Sequence, residues 1–241
     1  LQYGFLIRFA PDTIQARKAV AEGLLGEVYH TRAWWFRRRG YPTKGSWFTQ
    51  QALSGGGPLM DIGCHLLDRA LHILGYPAIL AASAVTHARL RGSQIEQQMN
   101  TGPKSGQAGI CDVEDLAVCL FRLAGGGSLA LETSFALNRP DAPLGTEFFG
   151  NHGGLRMGQG ETPIFYGEAA GQLVDRPLGE STGQSSAELL YLEQWRHFAD
   201  GVATRREPSA NGREGAALMR ALSAAYASAM RGREVLLEEM A

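Results

Sequence analysis

Gly55-Gly56-Gly57-Pro58-Leu59-Met60-Asp61-Ile62-Gly63-Cys64-His65-Leu66-Leu67-Asp68-Arg69-Ala70-Leu71-His72 is the most informative stretch of this chain. Proline after a glycine run suits the first turn of a helix, and Gly75 and Pro77 stop that helix near Leu74. At the ordinary helical turn, Asp61, His65, Asp68 and His72 fall at about 0°, 40°, −20° and 20° on the wheel. Four ionisable groups thus share a stripe about 60° wide. Apart from Gly63 and Arg69, the other positions are apolar. The pattern predicts a helix buried nearly all round, with one narrow polar edge.

Three readings fit that edge. In the first it performs acid–base chemistry. Asp61 and His65 are i,i+4 neighbours, so a carboxylate can orient an imidazole that titrates near neutrality. In the second, four polar residues simply face water. In the third, Asp61, His65 and Asp68 ligate a metal. The metal reading weighs least, because His65 and His72 stand about 10 Å apart along the axis and cannot share one ion. The glycines before the helix suggest a phosphate cradle. No Gly-x-x-x-x-Gly-Lys-[Ser/Thr] and no Gly-x-Gly-x-x-Gly accompanies them, so a tight turn and helix cap is the better reading.

Outward from this helix, 241 residues with 44% hydrophobic and 20% charged residues make an ordinary globular chain with a real core. The net charge of −1 leaves no global field for nucleic acid or a membrane surface. No apolar run approaches the ~18 residues of a membrane-spanning helix. No signal peptide is expected from the opening residues. Cys64, Cys111 and Cys119 are odd in number and lie among apolar residues. They imply no disulfide framework and fit a reducing, cytoplasmic compartment. Of the 23 basic residues, only Lys18, Lys44 and Lys104 are lysines.

Leu1–Phe9 reads as a short strand, followed by a helix from Pro11 to about Glu22. Glu27–Arg39 and Ile79–Leu90 read as strands, and Arg91–Ile110 as a loop. Glu114–Leu123 and Ser128–Leu137 form a hairpin across Gly125–Gly127. Two short strands follow in Thr146–Met157, then loops and one strand in Gly158–Ser185. Helices Glu188–Thr204 and Gly212–Met230 close the chain, with Arg233–Leu237 as an edge strand. In the first of these helices Leu189, Leu192, Trp195, Phe198, Ala199 and Val202 form one apolar stripe. This order predicts an α+β fold: a large, mainly antiparallel mixed sheet with helices on one face.

Other candidates stand alone. Arg8 ends the first strand, where pockets open in α/β proteins. Trp47 lies in the loop before the glycines, as a pocket wall or lid. Arg37-Arg38-Arg39 after Trp34-Trp35-Phe36 splits between both strand faces and lends at most one arginine to a pocket. Asp115 and Glu132 sit in hairpin strands without a visible partner, and His30, His87, His152 and His197 read as structural.

Four segments in order resemble one family. They are Phe5-Leu-Ile-Arg8-Phe9-Ala-Pro11, Gly26-Glu-Val-Tyr29, Ser54 to Asp68, and Val113-Glu-Asp115 with Phe149-Gly-Asn-His-Gly-Gly-Leu155. Together they resemble the glucose–fructose oxidoreductase/inositol dehydrogenase (Gfo/Idh/MocA) family. The specific part is Ser54–Asp68, which is similar to "GGGxLxDxGxHxxD". The resemblance implies an N-terminal Rossmann domain for NAD or NADP and a C-terminal domain built on a large open sheet. It implies hydride transfer between nicotinamide and a sugar, cyclitol or related alcohol. It assigns His65 to acid/base catalysis, Asp61 to its orienting and substrate-binding partner, and Arg8, Trp47 and Asp68 to the cleft.

The family's Glu-Lys-Pro motif and glycine-rich fingerprint are absent here. The expected organisation is therefore residues 1–9 as the last strand of a missing dinucleotide-binding domain and 10–241 as the substrate-binding and oligomerisation domain. Expected partners are a polyol or sugar substrate and further copies of the chain through the open sheet face, with no nucleic acid and no membrane. The chain alone is expected to bind no dinucleotide tightly and to be inactive. A non-enzymatic sugar-binding or oligomerisation domain and a metal-dependent hydrolase are the alternatives.

Overall fold

Alternating burial along its strands builds one mixed sheet. The computed structural model describes residues 1–42, 44–91, 110–140, 142–159, 161–179 and 186–240. Most of the expected Arg91–Ile110 loop, with Lys104, lies outside the described residues. Among the described residues the strands are β1 (Val28–Phe36), β2 (Ile79–His87), β3 (Leu116–Leu123), β4 (Ser128–Ser134), β5 (Ala142–Gly150), β6 (Gly153–Gly158), β7 (Ile164–Ala169), β8 (Gln172–Pro177) and β9 (Val235–Leu236). Their order is β8-β7-β6-β5-β1-β4-β3-β2-β9. Only β1 and β4 run parallel. A parallel pair needs a long crossover, and the chain between them holds the Gly55–His72 helix. The mainly antiparallel α+β architecture matches the expectation. Gly158–Ser185 differs in holding two strands, β7 and β8, instead of one.

Helices α1 (Pro11–Ala21), α3 (Cys64–Ile73) and α5 (Gly212–Arg231) cover one face. A four-residue helix, α2 (Gln51–Ser54), precedes the glycines, and α4 (Ala187–Thr204) precedes α5. The strand period of two shows clearly in β3. Ala117, Cys119, Phe121 and Leu123 point into the core with Leu66, Leu67, Leu218 and Leu222 of the helices. Val118 and Leu120 point out of the opposite, uncovered face, where Val118 pairs with Val85. A second core region joins Ala16 of α1 to Phe148, Leu155 and Phe165 of the far strands.

Two expectations are corrected. Residues 1–9 contain no strand. Leu6–Phe9 is a 3-10 turn, and Gln2 makes a single bridge to Asn211. Arg8 is buried among the helices. The apolar stripe of α4 also faces away from the body. Gly201 is the one buried residue of that helix, while Leu189, Trp195 and Val202 are 55%, 64% and 65% exposed. The helix touches residues 1–9 through its other side: the Gln2 side-chain amide donates to the Gln194 carbonyl at 3.3 Å, and His197 packs against Phe9. Periodicity says which face of a helix is apolar and not what covers it. Among the described residues, no helix is long and apolar enough to cross a membrane.

Candidate active site

The glycine turn is shaped by what it touches. A Cβ at Gly56 would overlap the Tyr226 hydroxyl, and one at Gly57 would overlap the Glu114 carbonyl oxygen. Buried Glu114 accepts hydrogen bonds from the Gly57 and Leu59 backbone N–H groups at 2.9 and 3.2 Å and from the Tyr226 hydroxyl at 2.7 Å. Free N–H groups at a helix start attract an anion. Glu114 is that anion here, so the turn is a cap and not a phosphate cradle. The carboxylate lies far along the chain, which hides it from any local motif.

The helix does not open in ordinary α geometry. Leu59–Gly63 is a wider π turn, and α3 proper starts at Cys64. This widening shifts Asp61 relative to His65. The two share the helix start, but no hydrogen bond joins them. Asp61 Oδ2 instead lies 3.9 Å from Arg37 Nη1. Burial pushes the Asp61 carboxyl above its ordinary range, and Arg37 opposes that rise.

His65 is half-buried, with the Phe5 ring edge-on at 5.8 Å. Its Nδ1 is buried without a hydrogen-bond partner. Burial, and then the nearby Arg37 charge, depresses its pKa below the usual 6.5. Both effects favour the neutral ring.

Asp68 lies further along α3, where Arg8 of the Leu6–Phe9 turn meets it. Arg8 Nε donates to Asp68 Oδ2 at 2.8 Å, and Arg8 Nη2 closes a second bond to Oδ1. Arg8 Nη1 also reaches Ser209 at 3.1 Å and Glu214 at 2.7 Å. The Tyr76 hydroxyl donates to Asp68 at 3.2 Å. Burial works against the Arg8 charge, and its bonds to Asp68 and Glu214 outweigh that burial and hold the guanidinium charged. This cluster ties residues 1–9 to α3 and α5. Asp61, His65 and Asp68 thus do not converge on one ion. Among the described residues, no group of three or more His, Cys, Asp or Glu is arranged to hold a metal.

The remaining candidates separate. His72 is bonded at Nδ1 by Arg17 at 2.9 Å; burial, Arg8 and Arg17 push its pKa down to about 3. Trp47 is 54% exposed and stacks on Phe48 at 3.8 Å. Asp115 accepts from the Leu90 N–H at 2.5 Å, and Glu132 pairs with Arg32 at 3.1 Å. Arg37 is the site residue that strand alternation alone did not separate from its two neighbours.

Residues 13–156 match the model of the GFO/IDH/MocA C-terminal domain. The chain belongs to the GFO/IDH/MocA family. D-glucoside 3-dehydrogenase of Escherichia coli (strain K12) is 34% identical over 243 residues, covering 98% of this chain and 64% of that protein. The aldose-aldose oxidoreductase of Caulobacter crescentus has a TM-score of 0.75 at 25% identity over 98% of this chain and 63% of its own. An oxidoreductase domain protein from Kribbella flavida shares the fold, with a TM-score of 0.80 at 24% identity over 97% of this chain and 66% of its own. This family member therefore spans about two thirds of the length of these relatives. The first two of these relatives are named as sugar oxidoreductases, and levoglucosan dehydrogenase, of the same fold at 19% identity and TM-score 0.77, is known as a complex with NADH.

Proposed function

We propose that this chain is the substrate-binding and acid–base part of an NAD- or NADP-dependent oxidoreductase acting on a sugar, cyclitol or related alcohol. One observation carries this reading: His65 is a half-buried imidazole on the helix start that bears Asp61 and faces Arg37. Oxidising an alcohol requires removal of the hydroxyl proton while the same carbon gives up hydride. With Nδ1 buried, Nε2 of His65 is the atom that takes the proton. Asp61 and Arg37 hold the substrate's other oxygens. Nicotinamide, when bound, supplies the hydride acceptor.

The dinucleotide's phosphates do not fit the glycine turn, because Glu114 already takes its N–H donors. They belong to a domain outside these 241 residues, and the uncovered α4 stripe beside residues 1–9 suits such a neighbour. The chain alone is then inactive. The assay that tests the whole reading follows nicotinamide reduction by the enzyme carrying this chain, with a panel of methyl pyranosides and cyclitols. Turnover of at least one pyranoside is expected; failure with every sugar and cyclitol offered would sink the reading.

The uncovered sheet face supports self-association. Val85, Val118 and Leu120 stand exposed side by side on β2 and β3. We expect a homo-oligomer through this face. Replacing Val118 and Leu120 together by glutamate is expected to reduce the mass in light scattering to that of one chain. An unchanged oligomer would place the interface elsewhere.

A further inference from the structure

Arg37 occupies a seat built for it. The turn after β1 is pinned to the end of β4: Arg37 N–H donates to the Ser134 carbonyl at 3.1 Å, and Gly40 N–H to Phe135 at 2.7 Å. The guanidinium lies over the Trp35 and Phe135 rings, at 5.2 and 5.5 Å from their centroids. Its Nη1 donates to the Gly40 carbonyl at 3.1 Å. Gly40 carries no Cβ for a local reason. A Cβ there would stand 2.8 Å from Arg37 Cδ and 2.9 Å from its Cβ, which is too close for real atoms. The spacing Arg37-x-x-Gly40 therefore lets the arginine stem fold back beneath its own turn.

The seat leaves the charged head incompletely used. Among the described residues, Nε and Nη2 have no hydrogen-bond partner, and neither is sealed from solvent. The 3.9 Å from Nη1 to Asp61 is longer than a hydrogen bond. A donor-only guanidinium thus faces an acceptor-only carboxylate across a gap. One oxygen placed about 2.8 Å from each closes that gap. The oxygen must accept from the arginine and donate to the aspartate. A hydroxyl does both; an ether or a ketone oxygen does only the first.

We propose that Arg37 and Asp61 together bind a second hydroxyl of the sugar whose reacting hydroxyl gives its proton to His65. Arg37 is then a specificity-determining residue. The aromatic rings fix the plane of its fork, so its donors meet that hydroxyl with little loss of freedom. The inference rests on the proposed oxidoreductase reading and deepens it.

The test crosses a residue deletion with a substrate deletion in the enzyme that carries this chain. Methyl β-D-glucopyranoside and its 2-, 4- and 6-deoxy analogues are the probes. Arg37→Met is expected to lower kcat/KM for the parent glucoside by about 10- to 100-fold, the size of a hydrogen bond to a charged group. For one deoxy analogue, wild type is already low by a similar factor, and Arg37→Met lowers it no more than about threefold further. Gly40→Ala displaces the arginine without removing it and is expected to reproduce the same selective pattern. Arg37→Lys, which keeps the charge and loses the fork, falls between. Equal losses on all four sugars in both Arg37→Met and Gly40→Ala would mean a structural role only and overturn the inference. So would an unchanged kcat/KM. Wild-type activity in His65→Ala removes the acid–base role from His65, and no turnover of any sugar or cyclitol overturns the underlying oxidoreductase reading instead.

Discussion

Replacing His65 by alanine is expected to lower kcat for alcohol oxidation by about 10²-fold or more, with dinucleotide binding unchanged. The size follows from the loss of a positioned base, which is worth about 10²–10⁴ in rate. Binding is spared because the imidazole has no part in a phosphate site, and in this chain the phosphate-type donors belong to Glu114. The pH profile supplies a second readout. Burial and Arg37 depress the His65 pKa, so the neutral form persists below the usual 6.5. The acid limb of kcat/KM in the oxidation direction is accordingly expected below pH 6.5. In Arg37→Met that limb moves up in pH, since the lost positive charge no longer disfavours the imidazolium. Steady-state kinetics across pH, with a fluorescence titration of the cofactor, measures both. Full activity in His65→Ala would take the acid–base role away from His65 and leave this chain only a sugar-binding part in the enzyme.

Asp68→Ala should produce the largest loss of stability, about 3 kcal/mol at the low end of the 3–5 kcal/mol typical of a broken buried pair. Arg8 would keep Glu214 and Ser209 but lose both bonds to Asp68. The Tyr76 hydroxyl would keep only its contact with the Glu214 carbonyl. Asp68→Asn retains one acceptor and is expected to be milder. Urea denaturation gives the stability change. The specific activity of the remaining folded enzyme tells the two roles apart. A stable Asp68→Asn protein with a large fall in kcat would make Asp68 part of the substrate cleft. A destabilised protein whose folded fraction keeps its kcat would make the pair a clamp holding residues 1–9 on α3.

The helix Cys64–Ile73 was legible because its apolar residues surround a narrow polar edge, and burial on that pattern is a local property. The hairpin of β3 and β4 was legible for the same reason, through alternation and glycine turn chemistry. Leu1–Phe9 was misread because an apolar run carries no record of its partner. Arg8 finds Asp68 and Glu214 on two helices 60 and 206 positions away, and those bonds select a 3-10 turn over a strand. The stripe of Trp195 and its neighbours is present as its spacing implies but lies uncovered, which spacing alone does not record.

The sequence by itself determined the family, the α+β class, and the placing of Asp61 and His65 on one helix start. These follow from residue types repeating at helical or strand spacing, which short-range sterics and burial enforce. Only the tertiary structure decided what each polar group meets. It gave the helix start to Glu114, paired Asp68 with Arg8, and set Arg37 opposite Asp61 in the room left by Gly40. Each of these partners lies in a different element, and hydrogen bonding over such separations is fixed by packing and not by spacing along the chain.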